Sequence, residues 1–394
     1  MAASRHLYLN GALVPYEDAK IHVQSGAVKY GGSVFEGLRA YWNADQGQLY
    51  VFRLPEHIDR LFASMRLMRM EHRFTRDELR DSILQVLRKN DVRQDVHIRQ
   101  TAFIEADGAL DATGPVGLAV DARPHRVTEK PGIDACVSSW TRISDAAMPP
   151  RIKCSANYQN SRLAMLEAKV NGYEGTLLLN ARGKLAEAPG ACCFMVRGGT
   201  PVTTPVTADI LESVTRATLL ELFRAELGQN PVERDVDRTE LYVSEEIFLC
   251  GSGWEITPIV SLDRMPIGDG HQPGPITRAM QACYFAVVRG EKLVYRRWLT
   301  PVYPHLRRPP AGPGRVARLP APPSRRPPWP SPPDRLRADP DHEGDQSQGD
   351  EGHRHVRLVI QSSPLTGSPP PALFAAFAGG GDSDCRGEGS LRAW

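Results

Sequence analysis

Lys153 stands in the stretch RIKCSANYQNSRLAM, at the end of an extended segment and before small residues, with Tyr158 five positions on. Most lysines are solvent-exposed cations without a chemical role. An amine desolvated or set beside another cation becomes nucleophilic near neutral pH and condenses with carbonyls. Here the small side chains leave room around the amine, and Tyr158 can offer a phenol. An aldehyde cofactor is the natural partner of such a lysine. Pyridoxal 5′-phosphate would further require a carboxylate for its ring nitrogen and anion-binding amides for its phosphate.

The chain offers candidates for each requirement. Glu187 lies between apolar stretches in GKLAEAPGACCFMV, and Val214 and Thr215 open the helical pattern of TADILESVTRATLLELF. Free amides and the helix dipole at such a start suit a phosphate. CGSGWEITPI supplies a tight turn through Gly251, Ser252 and Gly253 that brings backbone amides close to an anion. Singly, each has a plainer reading: an exposed loop glutamate, ordinary capping, a simple hairpin.

The elements that must position these groups fall into two parts. HLYLNGALVPYED reads as a hairpin about Asn10-Gly11. LPEHIDRLFASMRLM reads as a helix with Pro55 in its first turn and an apolar stripe of Ile58, Leu61, Phe62 and Met65. TRDELRDSILQVLRKN has Thr75 and Glu78 at capping-box spacing, and VHIRQTAFIEA alternates as a strand. These make a small α+β domain over 1–122, and the proline- and charge-rich segment 123–134 reads as a linker. A larger domain over 135–303 has strands in ACVSSW, TLLLNARGKLAEA, CCFMVRGGTPVTTP and EEIFLCGSGWEITPIV, with helices near 158–171, 214–228 and 275–289. Trp140 and Trp298 read as core residues, and the adjacent Cys192 and Cys193 as strand neighbours facing opposite sides.

Composition narrows the function classes. The 394 residues are 41% hydrophobic and carry a net charge of +2, without a basic run before the C-terminal tail, so neither nucleic acid nor membrane is indicated as a partner. Seven cysteines without metal-ligand spacing and a start without an apolar signal segment suggest a cytoplasmic protein and no metal. From Pro304 to Trp394 the chain holds about half of its prolines and no Lys, Asn, Tyr or Met, which reads as a disordered Pro/Arg-rich tail. HEGDQSQGDEGHRH within it reads as a solvated polar run rather than a metal site.

In order and wording, YGGSVFEGLRAY, HIDRL, HIRQ, KCSANYQNSRLAMLEAKVNGYEGTLLLN, GKLAEAPGACCFMV, TADILESVTRATL, ELYVSEEIFLCGSGWEITPI and DGHQPGPITRAMQACYFAVVRGE resemble the branched-chain amino acid aminotransferases. These are fold-type IV pyridoxal-phosphate enzymes, similar in fold to D-amino acid aminotransferase. The resemblance runs from about His6 to Val302 and leaves the tail uncovered. It implies transamination of leucine, isoleucine and valine with 2-oxoglutarate. Lys153 is then the lysine that holds the cofactor and carries the proton, Glu187 the partner of the ring nitrogen, and Tyr158 the phenol beside the ring oxygen. Arg60 binds the phosphate together with the amides of Val214, Thr215 and Ser252. Tyr30, Phe35, Arg99 and Gly253 surround the substrate, and a homodimer completes each site.

Two departures bear on substrate. His97 stands where the family commonly has a tyrosine that receives the substrate carboxylate, and Trp254 where it has a small residue. A site-facing His97 predicts keto-acid binding that weakens as pH rises through about 6 to 8. The alternatives are another fold-type IV activity, such as a D-amino acid or (R)-amine transaminase or aminodeoxychorismate lyase, and a non-catalytic binding protein acting through its tail.

Overall fold

Asn10 and Gly11 both adopt positive φ, 48° and 94°, as a two-residue hairpin turn of the mirror type requires. They join β1 (His6–Leu9) to β2 (Ala12–Pro15) in the computed structural model, which describes residues 5–125 and 131–304. These residues fall within one compact unit. The expected tail past Pro304 lies outside the described residues, as does the middle of the 123–134 segment.

A short helix, α1 (Gly26–Tyr30), ends on Gly31 in the left-handed region, and the turn there directs the chain into β3 (Ser33–Asn43) and then β4 (Gln48–Phe52). Almost every residue of β3 is buried, polar ones included, so it lacks the polar-apolar alternation that marks a half-exposed strand. α2 (Leu54–Leu67) buries Ile58, Leu61 and Met65, with Phe62 partly covered. α3 (Arg76–Lys89) begins with a complete capping box: Thr75 Oγ1 accepts from the Glu78 N–H, and the Glu78 carboxylate accepts from the Thr75 N–H. β5 (Val96–Ile104) and β6 (Val116–Pro124) follow. β6 thus extends into the segment expected to be linker.

Next come β7 (Ile133–Thr141), α4 (Tyr158–Val170), β8 (Gly175–Leu179), β9 (Cys192–Arg197), β10 (Thr200–Thr203) and α5 (Val214–Glu226). The chain then forms β11 (Val232–Glu233), α6 (Arg238–Leu241), β12 (Glu246–Gly251), β13 (Glu255–Leu262), β14 (Met265–Pro266), α7 (Pro275–Val288) and β15 (Leu299–Pro301). One sheet has the order β15-β4-β3-β5-β6-β1-β2, the other β11-β10-β9-β12-β13-β7-β8, with β14 paired to β13. β15 therefore returns to the first sheet, Leu299 opposite Phe52. Of the expected strand TLLLNARGKLAEA, only the start is β8; the remainder is a loop that ends at Glu187.

Three apolar clusters hold this arrangement. α2 and α3 cover the first sheet, burying Leu61, Met65, Leu79 and Ile83 against Leu38 and Ile98. α5 and α7 cover one face of the second sheet, where Phe194, Phe223, Phe248 and Tyr284 also meet Tyr41 and Phe52 of the first. The opposite face carries Cys193, Ile247 and Leu249. Cys192 and Cys193 thus do face opposite sides. Trp140 corrects the expectation of a core residue: it is 45% exposed, because the register of β7 against β8 shifts after Val137 and the last residues of β7 run out to solvent. Trp298 is buried. Among the described residues no helix is long and apolar enough to cross a membrane, and no cluster of His, Cys, Asp or Glu is built to hold a metal.

Candidate active site

The backbone around Lys153 is pinned from two directions. Its N–H donates to Ser64 Oγ of α2 at 3.2 Å, its carbonyl accepts from Phe35 of β3 at 2.9 Å, and Cys154 bridges to Val34. The side chain is buried, yet its amine reaches the rim of a cavity of about 280 Å³. There Nζ lies 2.7 Å from the Tyr158 hydroxyl and 4.9 Å from the centre of the Phe35 ring. Tyr158 is the first residue of α4, so the amine and phenol are fixed by a helix start and a strand rather than by a free loop.

Glu187 faces the same cavity and is 4% exposed. Arg142 donates to its Oε1 from Nε at 3.1 Å and from Nη2 at 2.7 Å, while Oε2 accepts from the Leu211 N–H at 3.2 Å. Burial raises the pKa of this carboxyl, against the opposing pull of Arg142. The sequence pattern does not single out Arg142. It follows Trp140 at an exposed strand end, and no spacing rule marks an arginine that points inward there.

Arg60 projects from α2 into the cavity near Val214 and Thr215, the first residues of α5, whose amides have no acceptor one turn back. Its guanidinium is clamped by Glu36, Nε to Oε1 at 2.7 Å and Nη2 to Oε2 at 2.8 Å, and Nη1 donates to the Glu212 carbonyl at 2.8 Å. His57 Nδ1 lies 2.7 Å from Glu36 Oε2. Burial would raise Glu36, but Arg60 and His57 together hold it well below the usual carboxylate range. Ser252 and Gly253 sit at the tip of the β12–β13 turn, closed by the Trp254 N–H donating to Gly251 O at 3.1 Å.

The other end of the cavity is formed by one face of β3 and β5. Phe35 packs on Tyr158, centroids 4.9 Å apart, and the Arg99 guanidinium stacks 3.6 Å from the Phe35 centroid. His97, opposite Arg39 in the ladder, faces the cavity because Gly37 has no side chain; a Cβ there would lie 3.0 Å from His97 Cε1. Burial, then Arg39 and His125, lower the imidazole to about 4. It is therefore neutral at pH 6 to 8, and the expected pH dependence in that range is corrected: titration lies far below it. Trp254 also lines the cavity. Tyr30 does not. The residue is 46% exposed at the end of α1, where the Gly31 turn separates it from Phe35, so of the expected apolar wall Phe35 and Tyr158 line the cavity and Tyr30 does not.

This donor set fits pyridoxal 5′-phosphate: a buried amine beside a phenol, a buried carboxylate in the lining of the same cavity, and an arginine beside a helix start. The profile of Amino-transferase class IV matches residues 33–262. A probable branched-chain-amino-acid aminotransferase of Aquifex aeolicus is 38% identical over 300 residues, covering 75% of this chain and 96% of its own. The branched-chain amino acid aminotransferase of Thermobaculum terrenum, solved in its PLP form, aligns at 44% identity with a TM-score of 0.72, covering 76% of this chain and 99% of that one. The branched-chain aminotransferase of the thermophilic archaeon Thermoproteus uzoniensis, solved with norvaline, aligns at 37% identity with a TM-score of 0.73, covering 77% of this chain and 100% of that one.

Proposed function

The chain belongs to the class IV aminotransferases, within them to the branched-chain-amino-acid aminotransferases, and from that premise we propose that it moves the amino group of leucine, isoleucine or valine to 2-oxoglutarate in the cavity around Lys153. The observation that carries this reading is the Lys153 amine 2.7 Å from the Tyr158 hydroxyl, in the same cavity as the buried Glu187.

When bound, pyridoxal 5′-phosphate supplies an aldehyde that condenses with amines and a ring that takes up the electrons left when the substrate α-carbon loses its proton. Lys153 Nζ would hold the cofactor, and its free amine would be the base that takes the substrate α-proton and returns it. The Tyr158 hydroxyl, already hydrogen-bonded to Nζ, orients the amine. Glu187 holds a proton on the ring nitrogen. Arg60, with the amides of Val214, Thr215 and Ser252, binds the phosphate.

At the substrate end, Phe35 and Tyr158 give the apolar contact that favours aliphatic side chains, each buried methylene adding about 0.8 kcal/mol. The Ser252–Gly253 turn and the neutral His97 ring receive the substrate carboxylate, and Arg99 stands ready for the second carboxylate of 2-oxoglutarate. The exposed Tyr30 ring supports a homodimer in which a second copy brings it to the neighbouring site, and the buried free thiols of the described cysteines support a cytoplasmic setting. Assays of L-leucine, L-isoleucine, L-valine, L-alanine, D-alanine and a simple (R)-amine against 2-oxoglutarate and pyruvate test the reading. It expects the three branched L-donors to lead; preference for D-alanine or the amine would overturn the substrate class.

A further inference from the structure

We propose that Arg142 is a positioning residue for this reaction: by occupying Oε1 of Glu187 it leaves Oε2 as the oxygen that meets the cofactor ring nitrogen. The inference rests on the reading above, in which Glu187 is that nitrogen's partner.

The geometry is asymmetric. An arginine fork commonly spans both oxygens of a carboxylate. Here Nε and Nη2 both converge on Oε1, at 3.1 and 2.7 Å. A carboxylate oxygen accepts about two hydrogen bonds, so Oε1 is filled. Oε2 receives the Leu211 N–H at 3.2 Å and only a weak S–H contact from Cys192 at 3.9 Å, which leaves it room for one further strong donor.

Arg142 is itself held in place. Its N–H donates to the Leu179 carbonyl at 2.8 Å, and Nη1 donates to Asn160 Oδ1 at 3.3 Å. Asn160 in turn donates from Nδ2 to the Thr141 carbonyl at 2.9 Å. Asn160 is on α4, two residues after Tyr158, so the carboxylate and the phenol are referred to one helix. The guanidinium also has an electrostatic effect. It is the main counterweight to the burial that favours the neutral form of Glu187, and a neutral carboxyl does not hold a protonated ring.

A double-mutant cycle tests the proposal, using the cofactor-loaded wild type, Arg142→Met, Glu187→Gln and the double variant. Turnover and the pH dependence of the bound cofactor's visible absorbance are read for each. Arg142→Met is expected to lower kcat roughly 10- to 100-fold, the scale of losing a hydrogen-bonding support behind a functional ligand. KM for leucine changes little, and both the acid limb of kcat and the absorbance titration move to higher pH, because Glu187 without its cation binds a proton more readily. In the Glu187→Gln background the same substitution changes kcat by no more than about twofold. Arg142→Lys keeps the charge without the fork and falls between wild type and Arg142→Met; if the Met variant does not fold, the Lys variant carries the cycle with a several-fold loss that disappears beside Glu187→Gln. Equal losses in both backgrounds, or an unmoved pH profile, overturn the role given to Arg142. Wild-type turnover in Glu187→Gln alone instead overturns the assignment of Glu187 on which it rests.

Discussion

The two ends of the cavity are built on different principles. At the Lys153 end the charged groups are buried against partners: Glu187 against Arg142, and Glu36 between Arg60 and His57. At the His97 end the pairing is incomplete: Arg39 behind His97 donates from Nη2 to Glu255 at 2.6 Å, but its Nε and Nη1 and the Nδ1 of His97 are buried without a hydrogen-bond partner among the described residues, and Arg99 is held mainly by stacking on Phe35. Breaking a buried, paired site is costly from either side. The first end therefore fixes one chemistry, while at the second the residues outside the Arg39–Glu255 pair, Trp254 and His97 among them, are the ones whose change should alter substrate with least effect on the fold.

That contrast predicts a descending series of effects. Lys153→Ala should remove both the covalent anchor and the proton carrier, lowering turnover by roughly 10⁴-fold or more and abolishing the visible absorbance of the bound cofactor. Glu187→Gln should still bind cofactor but lose about 10²- to 10³-fold in kcat, the scale of removing one preorganised electrostatic group. Glu36→Gln should cost about 3–5 kcal/mol of stability in urea unfolding, because it leaves the Arg60 charge buried with a neutral partner. At the open end effects should be smaller. Trp254→Ala should raise the relative kcat/KM for the bulkiest aliphatic donors by roughly 10-fold without affecting cofactor binding. A Trp254 variant that lost its cofactor would remove the distinction between the two ends.

His97 yields the weakest effect and a definite sign. Its folded pKa, near 4, lies below its ordinary 6.5, so the unfolded chain binds more protons between those values. The stability it contributes is present above about 6.5 and is lost as pH falls toward 4. His97→Tyr should flatten that acid-side decline in thermal unfolding and leave keto-acid KM nearly constant between about pH 6 and 8.

The sequence is informative where a local rule governs a local structure. The Asn10-Gly11 turn, the Thr75 capping box and the helix starts at Tyr158, Val214 and Pro275 can each be read from a few neighbouring residues, because the energetics there are local. β3 cannot, since it is covered on both faces and shows no alternation. Nor can β15, which pairs with a strand far back in the chain, Leu299 opposite Phe52. Within the cavity, Lys153 and Glu187 are legible through their motifs. Arg142 is not, because its role depends on which way a strand end points, and neither is the exposure of Trp140 and Tyr30, which turns and register shifts decide. The titration of His97 departs from expectation for a related reason: it is set by burial, by Arg39 of β3 and by His125 just past β6, not by the triplet in which it occurs.

Borohydride treatment of the purified, cofactor-loaded chain followed by peptide mapping tests the central claim most directly. The account predicts loss of the visible absorbance and a single reduced pyridoxyl adduct on the peptide containing Lys153. An adduct on another lysine, or none, would contradict it.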